Sequence, residues 1–174
     1  MKKITFILTL LTIFLSSSSL FPQSGMKIGH VNFATLIEAM PENDSAQVKL
    51  QKETEELNKV LEDLQTAYNV MIDKYSKESS SFSDAVKKTR ESEIIDQQKR
   101  INDFRTNANN QIERRNQELF NPIYIKINKA IEKIALSKEL TYVLDLSKGS
   151  VVYVSKNSLD LNPLVINELG IKKK

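Results

Sequence analysis

No glycine or proline occurs between Asp44 and Asn121, and this uninterrupted stretch is the feature that most constrains the fold. Glycine and proline are the residues that most often end helices, so their absence allows long helices here. In the first part, apolar residues recur at separations of seven, four, three, four, three and four; they are Leu50, Leu57, Leu61, Leu64, Tyr68, Met71 and Tyr75. This spacing predicts the narrow apolar seam of a coiled coil.

A serine cluster divides the stretch into two helices. Ser79, Ser80 and Ser81, with Ser83, interrupt the apolar spacing. A second series then keeps helical spacing; it consists of Ile94, Ile101, Phe104, Ala108, Ile112, Leu119, Ile123, Ile127, Ala130 and Ile134. Residues 44–78 would form a helix of about 52 Å at 1.5 Å per residue, and an equal return from Asp84 ends at Glu118. We therefore predict an antiparallel helical hairpin over residues 44–118, called the arm below.

The apolar content of the chain separates the arm from a second region. Residues 79–118 contain nine hydrophobic residues in forty, whereas residues 119–171 contain twenty-seven in fifty-three. A segment with so few apolar residues cannot build a globular core, but one that is half apolar can. We predict that residues 26–43 and 119–174 form a compact region, called the body below.

Pro122 lies at the predicted junction of arm and body. A proline inside a helical pattern kinks or ends the helix, because it lacks an N–H and its ring clashes with the preceding turn. We therefore place a hinge of the arm at Pro122. Beyond it, residues 123–136 are apolar on more than one face, as expected for a helix packed against a core.

The body is predicted to contain short strands. Residues 27–33 alternate around Val31 and Phe33, and residues 140–146 and 151–154 are rich in β-branched and aromatic residues. A turn containing Gly149 separates the last two segments, so we predict that they form a hairpin. A short helix should then begin at Asp160–Pro163 and end at Gly170. The fold class is thus α+β, with a small β-body and a long α-helical hairpin arm.

The first twenty-five residues have the pattern of a cleaved export signal. Lys2 and Lys3 precede an apolar run from Ile4 to Leu15, and the small polar residues Ser16 to Ser19 follow. The run is too short to span a bilayer. We expect cleavage between Ser19 and Met26, and an exported mature protein.

Composition argues against several classes of function. The chain has no cysteine, which excludes disulfides, thiol catalysis and cysteine-ligated zinc. Its single histidine, His30, is more simply explained as a strand residue than as a ligand or base. The four glycines are too dispersed to form a phosphate-binding loop. We therefore predict no catalytic residues, no metal and no cofactor.

Charge gives little reason to expect a nucleic-acid partner. Without Lys2 and Lys3, the chain carries 23 basic and 22 acidic residues. A nucleic-acid binder usually needs a basic stripe that neutralises several phosphates. Residues 44–134 contain sixteen basic and sixteen acidic residues, so strong electrostatic capture of lipopolysaccharide or anionic membrane is not expected either.

The whole mature chain resembles the Skp/OmpH family of periplasmic chaperones. The resemblance is carried by the first strand Lys27-Ile28-Gly29-His30-Val31-Asn32-Phe33, by the helical hairpin and by three later features. These are Ile131-Glu132-Lys133-Ile134-Ala135, Leu140-Thr141-Tyr142-Val143-Leu144-Asp145 and Asp160-Leu161-Asn162-Pro163. The flanking strands and the closing helix are moderately specific, whereas any coiled coil would resemble the hairpin.

The resemblance implies a jellyfish-shaped homotrimer. The strands would form a central β-body, and three arms would surround a cavity that holds unfolded outer-membrane β-barrel proteins in the periplasm without a nucleotide. The well-studied relatives are strongly basic, and this nearly neutral chain departs from that pattern.

Two sets of residues are candidates for these roles. Methionine and aromatic side chains adapt to varied apolar partners, so the candidate client-binding residues lie near the arm tip: Tyr68, Met71, Ile72, Tyr75 and Phe82. Some of them could equally belong to the seam between the helices. The candidates for the trimer interface or body core are Val31, Phe33, Val143, Val152, Tyr153 and Val154.

Two other classes of function stay open. The hairpin could be a structural coiled-coil adaptor that bridges envelope proteins, although efflux adaptors insert their hairpin between strand-rich and glycine-rich half-motifs. Here a single strand precedes the hairpin. An enzyme would need a pocket with a positioned nucleophile, base or metal, for which the chain offers few residues.

Overall fold

The structure, a computed structural model, describes residues 26–171. The predicted export signal, and the end of the tail at Lys172, Lys173 and Lys174, lie outside this range. The described elements are, in chain order, β1 (Ile28–Val31), α1 (Phe33–Ala39), α2 (Pro41–Glu78), a 3-10 turn (Ser79–Ser81), α3 (Asp84–Ser137), β2 (Tyr142–Asp145), a second 3-10 turn (Leu146–Lys148), β3 (Leu159–Asp160) and α4 (Asn162–Glu168).

The predicted arm is confirmed as an antiparallel hairpin of α2 and α3. Ser83 caps the start of α3, because its hydroxyl oxygen accepts a hydrogen bond from the Val86 N–H. Across the seam, the Gln97 side chain donates to the Leu64 carbonyl at 3.1 Å, and Arg115 pairs with Glu53 at 2.8 Å. Helix α2 begins at Pro41 rather than at Asp44, since a proline is well tolerated in the first turn of a helix.

Helix α3 does not end at Pro122 but continues through it to Ser137. The proline ring is exposed, while Phe120 and Ile123 on either side are buried against the body. This packing on both sides of Pro122 favours the helical conformation despite the missing N–H. The prediction of a hinge at Pro122 stays a prediction.

The predicted hairpin of residues 140–146 and 151–154 is wrong. Strand β2 pairs in parallel with β1, and the second neighbour of β1 is β3, also parallel, which gives the sheet order β2-β1-β3. Residues 151–154, which include Val152, Tyr153 and Val154, form no strand within this chain. High β-propensity indicates that a segment suits a strand. Whether it pairs, and with which strand, depends on contacts with residues distant in sequence.

Phe33 also differs from its predicted position, because it begins α1 instead of ending the first strand. The Asn32 side chain accepts a hydrogen bond from the Thr35 N–H at 3.1 Å, and this cap starts the helix directly after β1. The Phe33 ring packs against Tyr124, with ring centroids 6.1 Å apart.

One hydrophobic core joins the body to the base of the arm. It contains residues from β1, all four helices, the link between α1 and α2, and the segment before α4: Val31, Leu36, Met40, Ala46, Phe120, Ile123, Ile127, Ala130, Ile134, Leu161 and Val165. Gly29 lets β1 approach this core closely, because a Cβ at that position would lie 2.9 Å from Leu140 Cδ1 and 3.2 Å from Leu161 Cδ1. The body thus fixes the arm at one end and leaves the turn at Ser79–Ser81 free at the other.

Candidate functional site

The free end of the arm brings aromatic and apolar side chains together beside the turn. Helix α2 ends at Glu78, and the 3-10 turn leads to Phe82, whose backbone is extended. The Phe82 ring thereby turns back onto Tyr75, with ring centroids 6.4 Å apart and an angle of 47° between the planes. Such tilted aromatic pairs contribute favourable contacts beyond simple burial.

Tyr75 is held at both ends of its side chain. Its ring contacts Phe82, and its hydroxyl donates a short hydrogen bond to the Glu91 carboxylate on α3. This hydrogen bond raises the pKa of the Tyr75 hydroxyl above its ordinary value, because it stabilises the protonated form beside a negative charge. Tyr75 therefore links α2 to α3, and these two contacts hold its ring in one position.

A small cleft lies beside this aromatic pair. Its volume is about 60 Å³, and its lining is Met71, Lys74, Tyr75, Phe82, Arg90, Glu93 and Ile94. We call it the tip cleft. Four of the lining residues are apolar or aromatic, and three are charged.

The structure brings three of the five predicted client-binding residues into the tip cleft, namely Met71, Tyr75 and Phe82. Tyr68 is half-buried and lies outside the cleft, about one turn of α2 before Met71 and two turns before Tyr75, whereas Ile72 is exposed. The sequence-based prediction missed Ile94, which it assigned only to the seam. The stagger of the two helices determines that Ile94 faces the tip, and residue spacing within one helix does not reveal that stagger.

A second apolar surface lies on the sheet of the body. Side chains alternate between the two faces of a strand, so Ile28, paired with Tyr142, shares a face with Leu144. These residues are 42%, 56% and 41% exposed, respectively. We call Ile28, Tyr142 and Leu144 the outer sheet face.

The predicted interface residues divide into buried and exposed groups. Val31 is buried in the core, and Phe33 and Val143 are partly buried against it. In contrast, Val152 is 99% exposed and Tyr153 is 81% exposed, while Val154 is intermediate. Val152 and Tyr153 therefore do not contribute to the core of this chain, and their part in an interface stays a prediction.

His30 lies between the apolar residues of the outer sheet face and is paired in register with Leu144 and Asp160. Its Nδ1 is 2.9 Å from the Ser158 hydroxyl oxygen. This contact connects β1 to the segment that precedes β3.

The charged residues of the arm form a mixed surface with ion pairs along and across the helices. Arg115 bonds both Glu53 on α2 and Glu118 on α3, and these hydrogen bonds raise the pKa of its guanidinium further. At the base of the arm, Lys126 on α3 pairs with Glu42 on α2 and lowers the pKa of that carboxyl. The base of the hairpin is thus also joined by an ion pair.

Two negative findings apply to residues 26–171. No cluster of three or more histidine, cysteine or acidic residues is arranged to hold a metal ion within this range. None of the helices described is both long enough and apolar enough to cross a bilayer.

Comparisons with known proteins identify the family. The family model for outer membrane proteins of the OmpH-like type matches residues 27–169. A crystal structure of a candidate OmpH-like outer membrane chaperone from Caulobacter crescentus CB15 has the same fold, with a TM-score of 0.65 and 10% sequence identity over 87% of this chain and 88% of that chain. A search of curated proteins found no significant match. The chain belongs to the OmpH-like family, as its sequence pattern predicted.

Proposed function

We propose that the protein is a nucleotide-independent holdase chaperone, which binds unfolded outer-membrane β-barrel proteins in the periplasm and prevents their aggregation. Membership of the OmpH-like family supports a chaperone role. The observation that carries the proposal furthest is the tip cleft, in which apolar side chains are accessible at the end of an arm far from the hydrophobic core.

The composition of the arm suits weak and reversible binding. Most of its surface is polar, and the exposed apolar residues Val48, Val60, Val70, Ile72, Val86 and Ile95 are spread along it. Individual contacts with such residues are weak, but many of them together could keep an unfolded chain in solution without fixing its conformation. A holdase needs this combination, because its client must remain able to fold after release.

The proposed function includes a homotrimer assembled through the body. The outer sheet face and the Val152–Tyr153 pair expose apolar surface on a small body, and contiguous exposed apolar surface commonly marks an interface. Closed rings of three copies need two different surfaces that fit each other. The outer sheet face and the segment 151–154 are the two surfaces that we propose.

In this proposal, electrostatic attraction contributes little to the binding of clients. Ion pairs within the arm, such as Arg90 with Glu93, already neutralise much of its charge. We therefore expect client capture to depend weakly on ionic strength, in contrast to capture by a strongly basic surface.

The test is suppression of aggregation. A urea-unfolded outer-membrane barrel protein is diluted into buffer with increasing amounts of the mature chain, residues 26–174, without nucleotide, and light scattering is recorded. We expect scattering to fall to the baseline at about one trimer per client. Unchanged scattering at every ratio would contradict the holdase function and favour an adaptor that bridges folded envelope proteins.

A further inference from the structure

We propose that His30 makes assembly of the body sensitive to acid, because its imidazole lies on the outer sheet face and must stay neutral when a neighbouring copy covers that face. This inference rests on the proposed homotrimer and adds a pH-dependent control of its assembly. His30 is the single histidine of the chain, so the effect is assigned to one residue.

The register of the sheet places His30 among apolar side chains. Strand β1 is the central strand, and paired residues of neighbouring strands point to the same face. His30 is paired with Leu144, and Ile28, two residues earlier on β1, is paired with Tyr142. His30 is half-buried in the single chain, whereas these three neighbours are exposed. A surface that covers the outer sheet face therefore also covers His30.

The surface proposed to cover this face brings no negative charge. It is the segment Val151-Val152-Tyr153-Val154, which contains no acidic residue. A tyrosine hydroxyl stays neutral below about pH 10, and the nearest charged residues on either side of the segment are Lys148 and Lys156. A protonated His30 would leave water without gaining a counter-ion, and such desolvation favours the neutral imidazole.

Asp160 is the acidic residue of the same chain that faces His30. The two residues are paired in register, but β3 is an edge strand and Asp160 is exposed. Its Oδ1 already accepts a hydrogen bond from the Asn162 N–H at 2.9 Å. Among the residues that the structure describes, no ion pair joins Asp160 to His30, whose side chain bonds Ser158 instead. Asp160 therefore offsets only part of the cost of protonation.

Protonation of His30 leaves the fold of the single chain intact. Its Nδ1 is 2.9 Å from the Ser158 hydroxyl oxygen. A neutral Nδ1 accepts a hydrogen bond from this hydroxyl, and a protonated Nδ1 donates one to the same oxygen. The hydrophobic core lies on the opposite face of β1, where Val31 is buried. Acid should therefore separate the copies without unfolding them.

The size of the effect follows from three histidines in one assembly. A histidine in water has a pKa of about 6.5, so at pH 5.5 only about one imidazole in ten is neutral. A trimer that requires three neutral imidazoles loses up to about a thousandfold in its association constant. This constant depends on the square of the chain concentration, so the concentration at half-assembly rises by up to about thirtyfold. Assembly is thus favoured above pH 6.5 and weakens as the pH falls through this value.

The test is sedimentation velocity of residues 26–174 over a series of concentrations, at pH 7.5 and at pH 5.5 with the same ionic strength. We expect the concentration at half-assembly to rise about tenfold or more in acid, with unchanged helical content by circular dichroism. An equal concentration at both pH values would overturn the inference and leave the homotrimer standing. A monomer at pH 7.5 would contradict the homotrimer itself, so the two proposals fail separately.

Variants assign the pH dependence to His30. His30→Asn keeps a polar group that can reach Ser158 but gains no proton, so its assembly should be equal at both pH values. His30→Phe keeps a ring and serves as the second neutral variant. These variants also control for the amino terminus, which titrates near pH 8.

Asp160→Asn removes the carboxylate that faces His30 but keeps the oxygen that bonds the Asn162 N–H. Its assembly should be weaker than that of the parent chain at pH 5.5, because nothing then offsets the charge of the imidazole. A pH dependence that persists in both His30 variants, or that disappears in Asp160→Asn, would assign it to another group and overturn the inference.

Discussion

The Gln97 side chain on α3 donates a hydrogen bond from Nε2 to the backbone carbonyl oxygen of Leu64 on α2, at 3.1 Å. Gln97 is one of two polar residues described as buried, and it lies in a seam that is otherwise largely apolar. A buried polar group needs a partner, so other staggers of the two helices, which would leave Gln97 without one, are disfavoured. This contact therefore fixes the stagger that brings Ile94 to the tip.

We predict that Gln97→Ala lowers the free energy of unfolding by about 1 kcal/mol, because it removes this hydrogen bond and some packing. Urea denaturation followed by circular dichroism measures the change. The control is Gln98→Ala, since the Gln98 amide reaches only Asn102 on its own helix. Equal stability of the two variants would contradict a role for Gln97 in fixing the stagger.

Asp145 predicts a pH dependence of stability. Burial raises the pKa of its carboxyl, but hydrogen bonds from the N–H and hydroxyl of Ser147 and from the Phe33 N–H outweigh burial, and the pKa falls below its ordinary value of 3.8. A lowered pKa in the folded state stabilises the fold above the unfolded pKa. This contribution is lost as the pH falls through the folded pKa.

Asp145→Asn should therefore destabilise the protein at pH 7, and the difference from the parent chain should shrink below about pH 4. Thermal unfolding from pH 3 to pH 8 measures this difference. Glu132→Gln changes an exposed carboxylate of α3 in the same way and serves as the control. A difference for Asp145→Asn that stays constant over this pH range would contradict the assignment.

Assembly through the body predicts distinct effects for neighbouring residues. Leu144→Asp and Val152→Asp place a charge on surfaces that are exposed in the single chain, so each should dissociate the proposed trimer and keep the helical content. Val143→Asp should instead unfold the body, because Val143 packs against the core. Sedimentation velocity with circular dichroism separates these outcomes.

Val70→Asp is the control for assembly, because Val70 is exposed on the arm, outside the body. It should leave the oligomeric state unchanged. If the Leu144 and Val152 variants sediment like the parent chain, the two surfaces are not the interface.

Pro122 gives a prediction about the arm. Proline has no N–H to donate to the Glu118 carbonyl, four residues earlier, so the helix is locally weaker there although it continues. Pro122→Ala should restore this hydrogen bond and stabilise the protein by about 1–3 kcal/mol. Hydrogen exchange around residues 118–122 should slow.

If Pro122 acts as a hinge, the stiffer variant should also hold a narrower size range of clients. Suppression of aggregation with barrel proteins of increasing size tests this point. An unchanged client range together with slowed hydrogen exchange would contradict the hinge.

Local signals in the sequence were sufficient to predict the arm. The lack of glycine and proline, the seam from Leu50 to Tyr75 and the serine cluster each act within a few helical turns, so they predicted both helices and the turn. The same signals placed the aromatic and methionine residues Met71, Tyr75 and Phe82 near the tip, where they line the cleft. Ile94 was missed because it joins the cleft from the second helix.

The body depends on contacts that are distant in sequence, and prediction was poorer there. Strand β3 contains only Leu159 and Asp160, which is too short to show any alternation. Residues 151–154 have stronger strand composition, yet β1 pairs with β3 instead. The short helix α1 was also missed, although Asn32 carries a capping signal that could have indicated it.

The central claim is that three copies of this chain hold one unfolded outer-membrane protein. Native mass spectrometry of residues 26–174, alone and after mixing with a urea-unfolded barrel protein during dilution, tests it most directly. The account predicts three copies alone and three copies with one client in the mixture. A monomer, or an oligomer that remains free of client while the client aggregates, would contradict it.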